Sequence, residues 1–385
     1  MKVCVVTATR SEYGLLKPLI DKIQQSEGMQ LLTLITGAHL SPEFGLTYKR
    51  IEEDGIKIDA KVDMLLSADT SNAIVKSMGL GMIGYADALT NLAPDLLVIL
   101  GDRYEMLAVA SAALIFGIPI VHIHGGEITE GAYDDAIRHA ISKMSALHFA
   151  STEDYRQRII QMGENPDNVY NVGAIGLDNI VDTKLLSRTE LEAALGIKFK
   201  EYNYQVSFYP ETLGEQTPEQ QFAEVLDAIS KQKDSLFIFS KSNADTDGRV
   251  INRMVEDFVN KHPDNAVCFT SLGSLRFLSL VKECNAIVGN SSSGILEAPS
   301  LHTATINIGD RQKGRIQAAS VINVNAKSDE ISQSFDLIRT AEFKKKIAEV
   351  VNPYGQGGTS QKIYNVLAKT DPRHLKLKHF YDLPQ

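Results

Sequence analysis

The sequence predicts an α/β protein made of two Rossmann-like domains that face a cleft, and three observations carry that prediction. Short apolar runs recur along the chain without polar alternation, which is typical of strands covered on both faces. These runs alternate with amphipathic helical patterns, as in a parallel, doubly wound sheet. The alternation weakens near residues 177–200 and then resumes, and 385 residues at roughly 150 per domain allow two to three domains.

The first domain, residues 1–176, begins with a strand, a helix and a second strand, and this pattern is repeated further on. The predicted elements are the strand Val3–Val6, the helix Tyr13–Gln25, the strand Leu31–Ile35, the strand Leu96–Leu100, the helix Met106–Phe116 and the strand Ile118–Ile123. The stretch from Met106 to Ile123 is mostly apolar, but Gly117 and Pro119 interrupt it. A buried helix followed by a buried strand therefore explains it better than a membrane span.

The second domain, residues 201–365, follows a linker at 177–200 and precedes a tail at 366–385. Its predicted strands are Tyr204–Phe208, Leu236–Ser240, Ala266–Thr270, Ala286–Val288 and Thr305–Ile308, and its predicted helices are Glu219–Lys231, Arg249–Asn260 and Ser274–Glu283. A further helix is expected near Gln361–Lys369, with Pro372 ending it before a basic stretch, Arg373–His379.

Composition excludes several classes of protein. The formal net charge of −9 argues against non-specific nucleic-acid binding, which requires clustered cations. The three cysteines, Cys4, Cys268 and Cys284, form no CxxC pair and indicate buried free thiols in a reducing cytoplasm. Neither a signal peptide nor a membrane segment is recognisable, so a cytoplasmic location is expected.

One glycine pattern imitates a dinucleotide site. Residues 79–84 read Gly-Leu-Gly-Met-Ile-Gly, and Asp102 follows about 20 residues later. Such a fingerprint needs a strand before it and a helix after it. Here the flanks Ser71–Ser77 and Tyr85–Leu92 both read as helix, so the glycines are expected to allow close helix packing.

Ligands of parallel sheets bind beyond the carboxyl ends of the strands, which directs attention to the loops after them. The first such loop contains Arg10 at a helix start, where an anion-binding site and an ordinary capped helix are equally compatible with the sequence. The second contains Asp102 and Arg103, and Asp102 is interpreted either as a site residue or as the cap of the next helix.

The third loop holds the densest group of ionisable residues. His122, His124, Glu127, Asp134 and Asp135 lie within 14 residues, around a Gly-Gly pair expected to let the backbone approach a ligand. A His-x-His metal site is one interpretation, but no further ligand set follows it. Acid–base chemistry by carboxylates and an imidazole is favoured, because grouped titratable side chains move each other's pKa values apart.

Two loops of the second domain are suited to phosphate. Residues 288–299 read VGNSSSGILEAP, where Ser291, Ser292 and Ser293 are expected to surround an anion at a helix start, and a plainly capped helix is the alternative. Residues 308–315 carry Arg311 and two further cations after another strand. They indicate either a diphosphate site or a solvated basic loop.

Taken together, these loops resemble the hydrolysing UDP-N-acetylglucosamine 2-epimerases, especially the bacterial branch of sialic-acid and legionaminic-acid synthesis. The resemblance covers about residues 2–365 and is carried by TATRSEY, GDRYE, HIHGGE with YDDAIRHAISK, SNADTDGR, GNSSSGILEAPS and INIGDRQKGR. It implies a glycosyltransferase-B type of fold, with a C-terminal helix that crosses back to the first domain. It also implies no required metal or other cofactor, and a homodimer or a dimer of dimers.

The resemblance implies the reaction as well. UDP leaves the anomeric carbon as the C2 proton is removed, and water then adds to the 2-acetamidoglucal with inversion at C2. From UDP-N-acetylglucosamine the products are N-acetylmannosamine and UDP. UDP-N,N′-diacetylbacillosamine is the alternative substrate.

Site residues follow from the same resemblance, position by position. Catalytic carboxylates are implied at Asp102 and Asp134, and substrate-binding residues at Arg10, Arg103, Asn243, Ser291, Ser292, Ser293, Glu297 and Arg311. Many relatives have a catalytic Glu where this chain has His124, so either Glu127 or His124 itself is expected to act in proton transfer. Relatives also have a His where this chain has Tyr209, and a phenol with a pKa near 10 is a poorer proton relay.

Two other classes remain compatible with the sequence. A glycosyltransferase of the same fold would need an acceptor, and the acidic cluster at 124–135 counts against it. A non-catalytic nucleotide-sugar sensor would be consistent with Tyr209.

Overall fold

The computed structural model describes residues 1–68, 70–130, 132–211, 216–241 and 248–384. The chain divides into two compact units. Unit 1 comprises Met1–Glu127, Asp134–Asp178 and Gly357–Gln385, and unit 2 comprises Ile128–Tyr133 and Asn179–Gln356. Among the described residues, no helix is long and apolar enough to span a membrane.

Each unit is built on one parallel sheet. The strands are β1 Lys2–Thr7, β2 Gln30–Thr36, β3 Ala60–Val62, β4 Leu96–Leu100, β5 Ile120–Ile123, β6 Leu147–Ala150, β7 Val169–Asn171, β8 Tyr202–Ser207, β9 Ser235–Ser240, β10 Ala266–Phe269, β11 Ala286–Gly289, β12 Ala304–Ile308 and β13 Val321–Val324. Within the described residues, the sheet orders are β3-β2-β1-β4-β5-β6-β7 and β10-β9-β8-β11-β12-β13. The order reverses beside β1 and beside β8, as in doubly wound sheets.

Helices cover these sheets. They are α1 Arg10–Gln24, α2 Tyr48–Glu53, α3 Ser71–Leu92, α4 Tyr104–Ile115, α5 Asp134–Met144, α6 Glu153–Gln161, α7 Asp178–Asp182, α8 Arg188–Leu195, α9 Pro218–Ser230, α10 Gly248–Lys261, α11 Gly273–Glu283, α12 Ser293–Leu296, α13 Ser328–Arg339, α14 Ala341–Ala348, α15 Thr359–Leu367 and α16 Pro372–Leu375. The predicted alternation of strands and helices is confirmed. The short strands β3, β6, β7 and β13 were not predicted.

The predicted boundaries differ from the observed division at three places. Most of the expected linker belongs to unit 2, because α8 buries Leu191 and Leu195 in the same cluster as Leu236 and Leu280. The segment Ile128–Tyr133 also belongs to unit 2, although its neighbours in sequence lie in unit 1. The C-terminal segment returns to unit 1 at Gly357, before the expected tail begins.

That C-terminal segment is fixed to unit 1 by its first helix and by its basic end. The α15 side chains Ile363 and Leu367 are buried in the same core as α1. The Asp178 carboxylate caps α15 by accepting from the backbone N–H groups of Thr359 and Ser360 at 2.8 and 2.6 Å. The stretch predicted as a basic tail is docked as well, because Lys378 pairs with the buried Glu164 at 2.7 Å.

The glycines that imitate a dinucleotide site lie inside one continuous helix, α3, as predicted. A Cβ at Gly84 would stand 2.6 Å from Cγ1 of Val62 on β3, and one at Gly81 would stand 3.1 Å from the Tyr85 ring. Both glycines therefore serve close packing against the helix and its neighbouring strand. These glycines therefore do not form a dinucleotide-binding turn, because they lie in the middle of a helix and not between a strand and a helix.

Candidate active site

Asp102 lies where β4 ends, immediately after Gly101, whose φ of +76° turns the chain out of the sheet. Its carboxylate accepts a hydrogen bond from Nη2 of Arg138, a fully buried residue on α5. Nη1 of Arg138 donates to the backbone oxygen of Glu127 at 2.8 Å. One guanidinium therefore holds both the β4 and the β5 loops. The capping interpretation of Asp102 is wrong, because Arg103 occupies the N-cap position of α4 and makes no side-chain cap.

Two further carboxylates come from the start of α5. Asp134 is its first residue and is partly exposed, and four residues later Arg138 emerges on the same face. Asp135 lies 3.6 Å from Nη1 of Arg138 and 3.5 Å from Nε2 of His139. The structure thus groups Asp102 and Asp135 around a single buried cation, and Asp134 lies one helical turn before that cation on α5.

His124 and Glu127 form a second, more deeply buried pair. His124 has a φ of +67°, an uncommon conformation for a residue with a Cβ. Its Nε2 accepts from the backbone N–H of Ile175 at 3.1 Å, so the proton of the neutral ring resides on Nδ1. Nδ1 lies 3.0 Å from Oε1 of Glu127, which also accepts from Ser151 Oγ at 2.8 Å. The imidazole therefore orients the carboxylate.

His122 has a structural role that the metal interpretation did not foresee. Its Nε2 is 2.7 Å from the backbone oxygen of Gly101, so Nε2 carries a proton, and Nδ1 is 3.1 Å from Ser142 Oγ. Both ring nitrogens are engaged within the protein, so His122 is not available as a metal ligand. No cluster of potential metal ligands occurs among the residues described. His122 instead fixes the turn that precedes Asp102.

The Gly-Gly pair after His124 serves packing, which corrects the expectation that it admits a ligand. A Cβ at Gly125 would lie 2.7 Å from Ser142 Oγ, and one at Gly126 would lie 2.4 Å from the backbone oxygen of Tyr155. Gly126 also has a φ of +78°. The two glycines are needed because the β5 loop runs directly against α5 and α6.

Protonation of His122 should couple stability to pH. Burial lowers the pKa of His122 from its ordinary 6.5 to about 3, so below pH 6.5 the unfolded chain binds a proton at this residue that the folded protein excludes. The contribution of His122 is complete above pH 6.5 and is lost as the pH falls towards 3. Between pH 7 and pH 5 this amounts to about 2 kcal/mol of unfolding free energy.

Urea unfolding of the wild type and of His122→Gln at both pH values checks this prediction. Gln can still donate to the Gly101 oxygen but does not titrate, so the wild type should lose about 2 kcal/mol more than the variant on acidification. Parallel losses in the two proteins would contradict it.

The loop before α1, which leads to Arg10, has its backbone N–H groups bound by side chains of the same segment. Thr9 caps α1, and the Glu12 carboxylate accepts from the backbone N–H groups of Ala8 and Thr9 at 2.7 and 3.1 Å. Burial, together with the Glu105 carboxylate, raises the pKa of Glu12 to about 7. The capped-helix interpretation therefore accounts for these two N–H groups. Arg10 is the first residue of α1 and is partly exposed.

Arg103 is held by a protein carboxylate. Its Nε and Nη2 each lie 3.1 Å from an oxygen of Glu105, which is fully buried, and Nε is 4.0 Å from Glu12. This bidentate geometry gives the guanidinium one orientation. The substrate-binding role expected for Arg103 stays a prediction.

In unit 2, Asn290 joins three loops that follow neighbouring strands. Its side chain accepts from the Tyr209 backbone N–H at 2.7 Å and donates to the Tyr209 oxygen at 2.8 Å. Its own backbone oxygen accepts from Arg311 Nη1 at 3.1 Å and from Gln312 Nε2 at 2.9 Å. The Arg311 guanidinium lies 5.1 Å from the centre of the Tyr209 ring. The residues predicted after β8, β11 and β12 are thus brought together.

Glu211 reinforces this arrangement. One of its oxygens accepts from the backbone N–H groups of Asp310 and Arg311 at 2.7 and 3.2 Å, and the other from Gln221 at 2.9 Å. Gly309 is required here, because it has a φ of +79° and a Cβ would lie 2.1 Å from the Glu211 carboxylate. The β12 loop is therefore fixed before any ligand binds.

The predicted serine loop leads into α12, which has only four residues. Ser291, Ser292 and Ser293 are all partly exposed. The backbone oxygens of Ser291 and Ser292 accept from Gly294 and Ile295, and Ser293 N–H donates to Ser291 Oγ at 3.3 Å. Their hydroxyls remain the groups suited to an anion. Glu297, expected to bind ribose, follows α12 and is buried.

The structure also bears on the predicted free thiols, whereas the predicted substrate-binding residue Asn243 stays untested. Cys4 and Cys284 are buried free thiols whose pKa values are raised by burial, and Cys268 is a partly buried free thiol. The prediction of free thiols is confirmed, and the prediction that they are buried is confirmed for Cys4 and Cys284 but is wrong for Cys268. Asn243 lies in 242–247, outside the described residues.

Comparison with known proteins identifies similar sequences over almost the whole chain. The family model described as UDP-N-acetylglucosamine 2-epimerase matches residues 21–368. A GDP/UDP-N,N′-diacetylbacillosamine 2-epimerase (hydrolyzing) from Campylobacter jejuni is 44% identical over 89% of each chain. Polysialic acid biosynthesis protein P7 from Escherichia coli is 38% identical over 100% of this chain and 98% of its own. A UDP-N,N′-diacetylbacillosamine 2-epimerase (hydrolyzing) from Legionella pneumophila is 34% identical over 98% and 97%.

Solved structures agree on the fold. The crystal structure of UDP-GlcNAc 2-epimerase from Neisseria meningitidis bound to UDP-GlcNAc has a TM-score of 0.81 with this chain at 23% identity, and covers 96% of this chain and 100% of its own. The predicted fold of the glycosyltransferase-B type is confirmed by this likeness and by the two parallel sheets.

Proposed function

The chain belongs to the UDP-N-acetylglucosamine 2-epimerase family, and on that premise we propose that this UDP-sugar 2-epimerase hydrolyses UDP-N,N′-diacetylbacillosamine. The observation that carries the choice of substrate is the 44% identity to the Campylobacter jejuni protein named for that sugar. The Neisseria meningitidis relative named UDP-N-acetylglucosamine 2-epimerase is 28% identical over 88% of this chain.

Unit 1 supplies the proton chemistry in this proposal. Inversion at C2 requires a proton to leave one face of the sugar and another to arrive on the opposite face, which calls for two positioned acid–base groups. The Asp102 side chain is 22% exposed, whereas that of Glu127 is 1% exposed. Asp102 is therefore the carboxylate placed to contact a substrate, and the partly exposed Asp134 is the second.

Glu127 and His124 act behind these groups. The Glu127 carboxylate accepts from His124 and Ser151, and its backbone oxygen accepts from Arg138. We assign this pair to positioning the β5 loop and Arg138. The neutral His124 ring has its proton on Nδ1, so transfer to substrate through Nε2 would first require the Ile175 contact to break.

Unit 2 supplies groups for the leaving diphosphate. Negative charge develops on that group as the anomeric C–O bond breaks, and fixed cations and hydroxyls stabilise it. Arg311 and the serines at 291–293 follow adjacent strands of one sheet and have these properties. Tyr209, held by its backbone, is the phenol expected to donate a hydrogen bond to the same group.

Parallel assays with three nucleotide sugars test the substrate. The purified chain is incubated with UDP-N,N′-diacetylbacillosamine, UDP-N-acetylglucosamine or the GDP form of the former, and nucleotide release and free sugar are followed by chromatography. We expect kcat/KM for UDP-N,N′-diacetylbacillosamine to exceed that for UDP-N-acetylglucosamine by at least about tenfold, since a site built for a polar substituent rejects analogues that lack it.

The remaining outcomes discriminate the alternatives. Preference for UDP-N-acetylglucosamine with release of N-acetylmannosamine would support the second candidate, which the 38% identity to the Escherichia coli polysialic acid protein favours. Turnover only when a sugar acceptor is added would indicate a glycosyltransferase. Tight binding without products would indicate a sensor.

A further inference from the structure

The chain leaves unit 1 and returns to it between two acidic residues of the candidate site. Glu127 is the last residue of unit 1 before this excursion, and Asp134 is the first residue after it. The residues between them, Ile128–Tyr133, belong to unit 2 and are here named the crossing segment. Both of its ends are anchored, because the Glu127 backbone oxygen accepts from Arg138 at 2.8 Å and Asp134 begins α5.

The crossing segment lies against the loop that carries Arg311. The backbone N–H of Glu130 donates to the Lys313 oxygen at 3.2 Å. A Cβ at Gly314 would stand 2.3 Å from Cγ2 of Ile128 and 3.0 Å from its Cβ, so the isoleucine rests on the bare backbone of this glycine. The ion pair between Glu130 and Lys313 spans 3.8 Å and is more than half exposed on both sides, so it adds little.

The β12 loop is also where the proposed function places the leaving diphosphate. Arg311 and Gln312 both donate to the backbone oxygen of Asn290, directly before the serine loop. Anything that binds to Arg311 therefore restrains the loop on which the crossing segment rests. Asp134 follows Glu130 by four residues, which span at most about 14 Å. Restraint of Glu130 consequently limits the positions that are open to the start of α5.

We propose that Ile128 is a positioning residue for the reaction: it holds the crossing segment on the β12 loop and so transmits binding of the leaving diphosphate to Asp134. Binding of the nucleotide then helps to place a group that acts on the sugar, and such use of remote binding energy raises kcat rather than affinity. The inference rests on the proposed function for the role of Asp134, but not on the identity of the sugar.

Turnover of Ile128 variants tests this role. Ile128→Ala removes the contact with Gly314, and kcat should fall at least about tenfold, because misplacement by about 1 Å can cost about 100-fold. The dissociation constant for UDP, measured by calorimetry, should stay within about threefold of the wild type. Ile128→Val keeps Cγ2 and should retain kcat within about threefold. So should the matched control Ile322→Ala, the same change at another partly buried isoleucine of unit 2.

Gly314→Ala tests the same contact from its other side. The added methyl group would stand where Cγ2 of Ile128 lies, and the φ of +86° adds backbone strain. We expect kcat to fall at least about tenfold here as well. Because both changes break one contact, the double variant Gly314→Ala/Ile128→Ala should lie within about threefold of the slower single variant. Losses that multiply would overturn the proposal.

Hydrogen exchange of the full chain, with and without UDP, tests the transmission without turnover. UDP should slow exchange in peptides that cover Ile128–Met144 in the wild type and in Ile128→Val, but not in Ile128→Ala. Peptides from α3 serve as the control and should not change. Because UDP alone is the probe, this measurement distinguishes failure of the present proposal from failure of the proposed function.

The remaining outcomes also decide the proposal. It is overturned if Ile128→Ala keeps wild-type kcat, or if its affinity for UDP falls in parallel with kcat. Equal protection of α5 by UDP in Ile128→Ala and the wild type would overturn it too, as would no protection in the wild type. Thermal unfolding of every variant identifies loss of folding. A loss of kcat in Ile322→Ala as large as that in Ile128→Ala would assign the effect to general destabilisation.

Discussion

Asp102→Asn is expected to abolish release of UDP from the nucleotide sugar while leaving UDP binding intact. The substitution keeps the size of the side chain and its ability to accept from Arg138, but it removes the partly exposed carboxylate that we assign to proton transfer. General acid–base groups contribute about 10²–10⁴ in rate, so kcat should fall by at least about 100-fold. Binding of UDP, measured by calorimetry, should change by less than about threefold.

Asp95→Asn is the matched control, because Asp95 lies just before the amino end of the same strand, β4. Its carboxylate accepts from the Lys2 backbone N–H at 2.7 Å, far along the strand from the candidate site. This variant should retain wild-type turnover. Normal turnover by Asp102→Asn would exclude the proposed mechanism. Loss of UDP binding together with turnover would assign Asp102 to binding.

Arg138→Met is expected to destabilise the folded protein by about 3–5 kcal/mol, because it removes the partner of a carboxylate and leaves a buried carbonyl without its donor. The fully buried guanidinium contacts Asp102 and the Glu127 oxygen, and Met has similar length but no donor. Urea unfolding measures the loss of free energy. Turnover should fall as well, because the loops after β4 and β5 lose their common anchor.

A double-mutant cycle separates the ion pair from simple packing. In the Arg138→Met background, Asp102→Asn removes the carboxylate that has lost its guanidinium partner and should restore about 1–3 kcal/mol of stability. In the wild-type background the same change should be neutral or destabilising. Equal effects in both backgrounds would show that the two side chains are not coupled. Arg138→Lys keeps the positive charge but loses the two-nitrogen geometry of the guanidinium. The unfolding free energy of this variant should lie between those of the wild type and Arg138→Met.

The fold was predictable because the alternation of apolar strands and amphipathic helices recurs over many residues of the chain. Strands such as Leu96–Leu100 are buried on both faces and therefore read as continuous apolar runs. The short edge strands β3 and β13 escaped prediction, since three or four residues at the rim of a sheet carry little apolar pattern. The predicted domain boundaries differ from the observed division for another reason. Assignment of α8 and α15 depends on contacts with residues distant in sequence.

The site was predictable only where a loop follows a strand. That rule led to Asp102, Ser291 and Arg311, whereas Tyr209 was named from the family resemblance alone, and the structure places each of the four at the end of a strand or just after it. Arg138 was not singled out, although it lies four residues after Asp134 on an amphipathic helix, where a lone arginine is easily taken for a surface residue. Its burial becomes evident only once α5 is packed beside the β4 loop.

The residues that support the site were missed for the same reason. Glu105, Glu211 and Asn290 act on neighbouring loops, and little in their own sequence context separates them from solvent-exposed polar residues. A carboxylate two residues after Arg103, and an asparagine directly after β11, were the available signals. The positive φ of His124 could not have been inferred, because only a few per cent of residues with a Cβ adopt this conformation, even though histidine is enriched among them.

The way Asn290 holds Tyr209 has a consequence for how this enzyme can change over evolution. The amide of Asn290 binds the main chain of residue 209 and makes no demand on its side chain. Another residue at this position would inherit the same anchored loop, provided it tolerates the guanidinium above it. If Tyr209 faces the leaving group as we propose, exchange of histidine for tyrosine changes the group offered to it without rebuilding the loop. Asn290 therefore fixes the position of the backbone at residue 209, while the side chain at that position is free to differ between relatives.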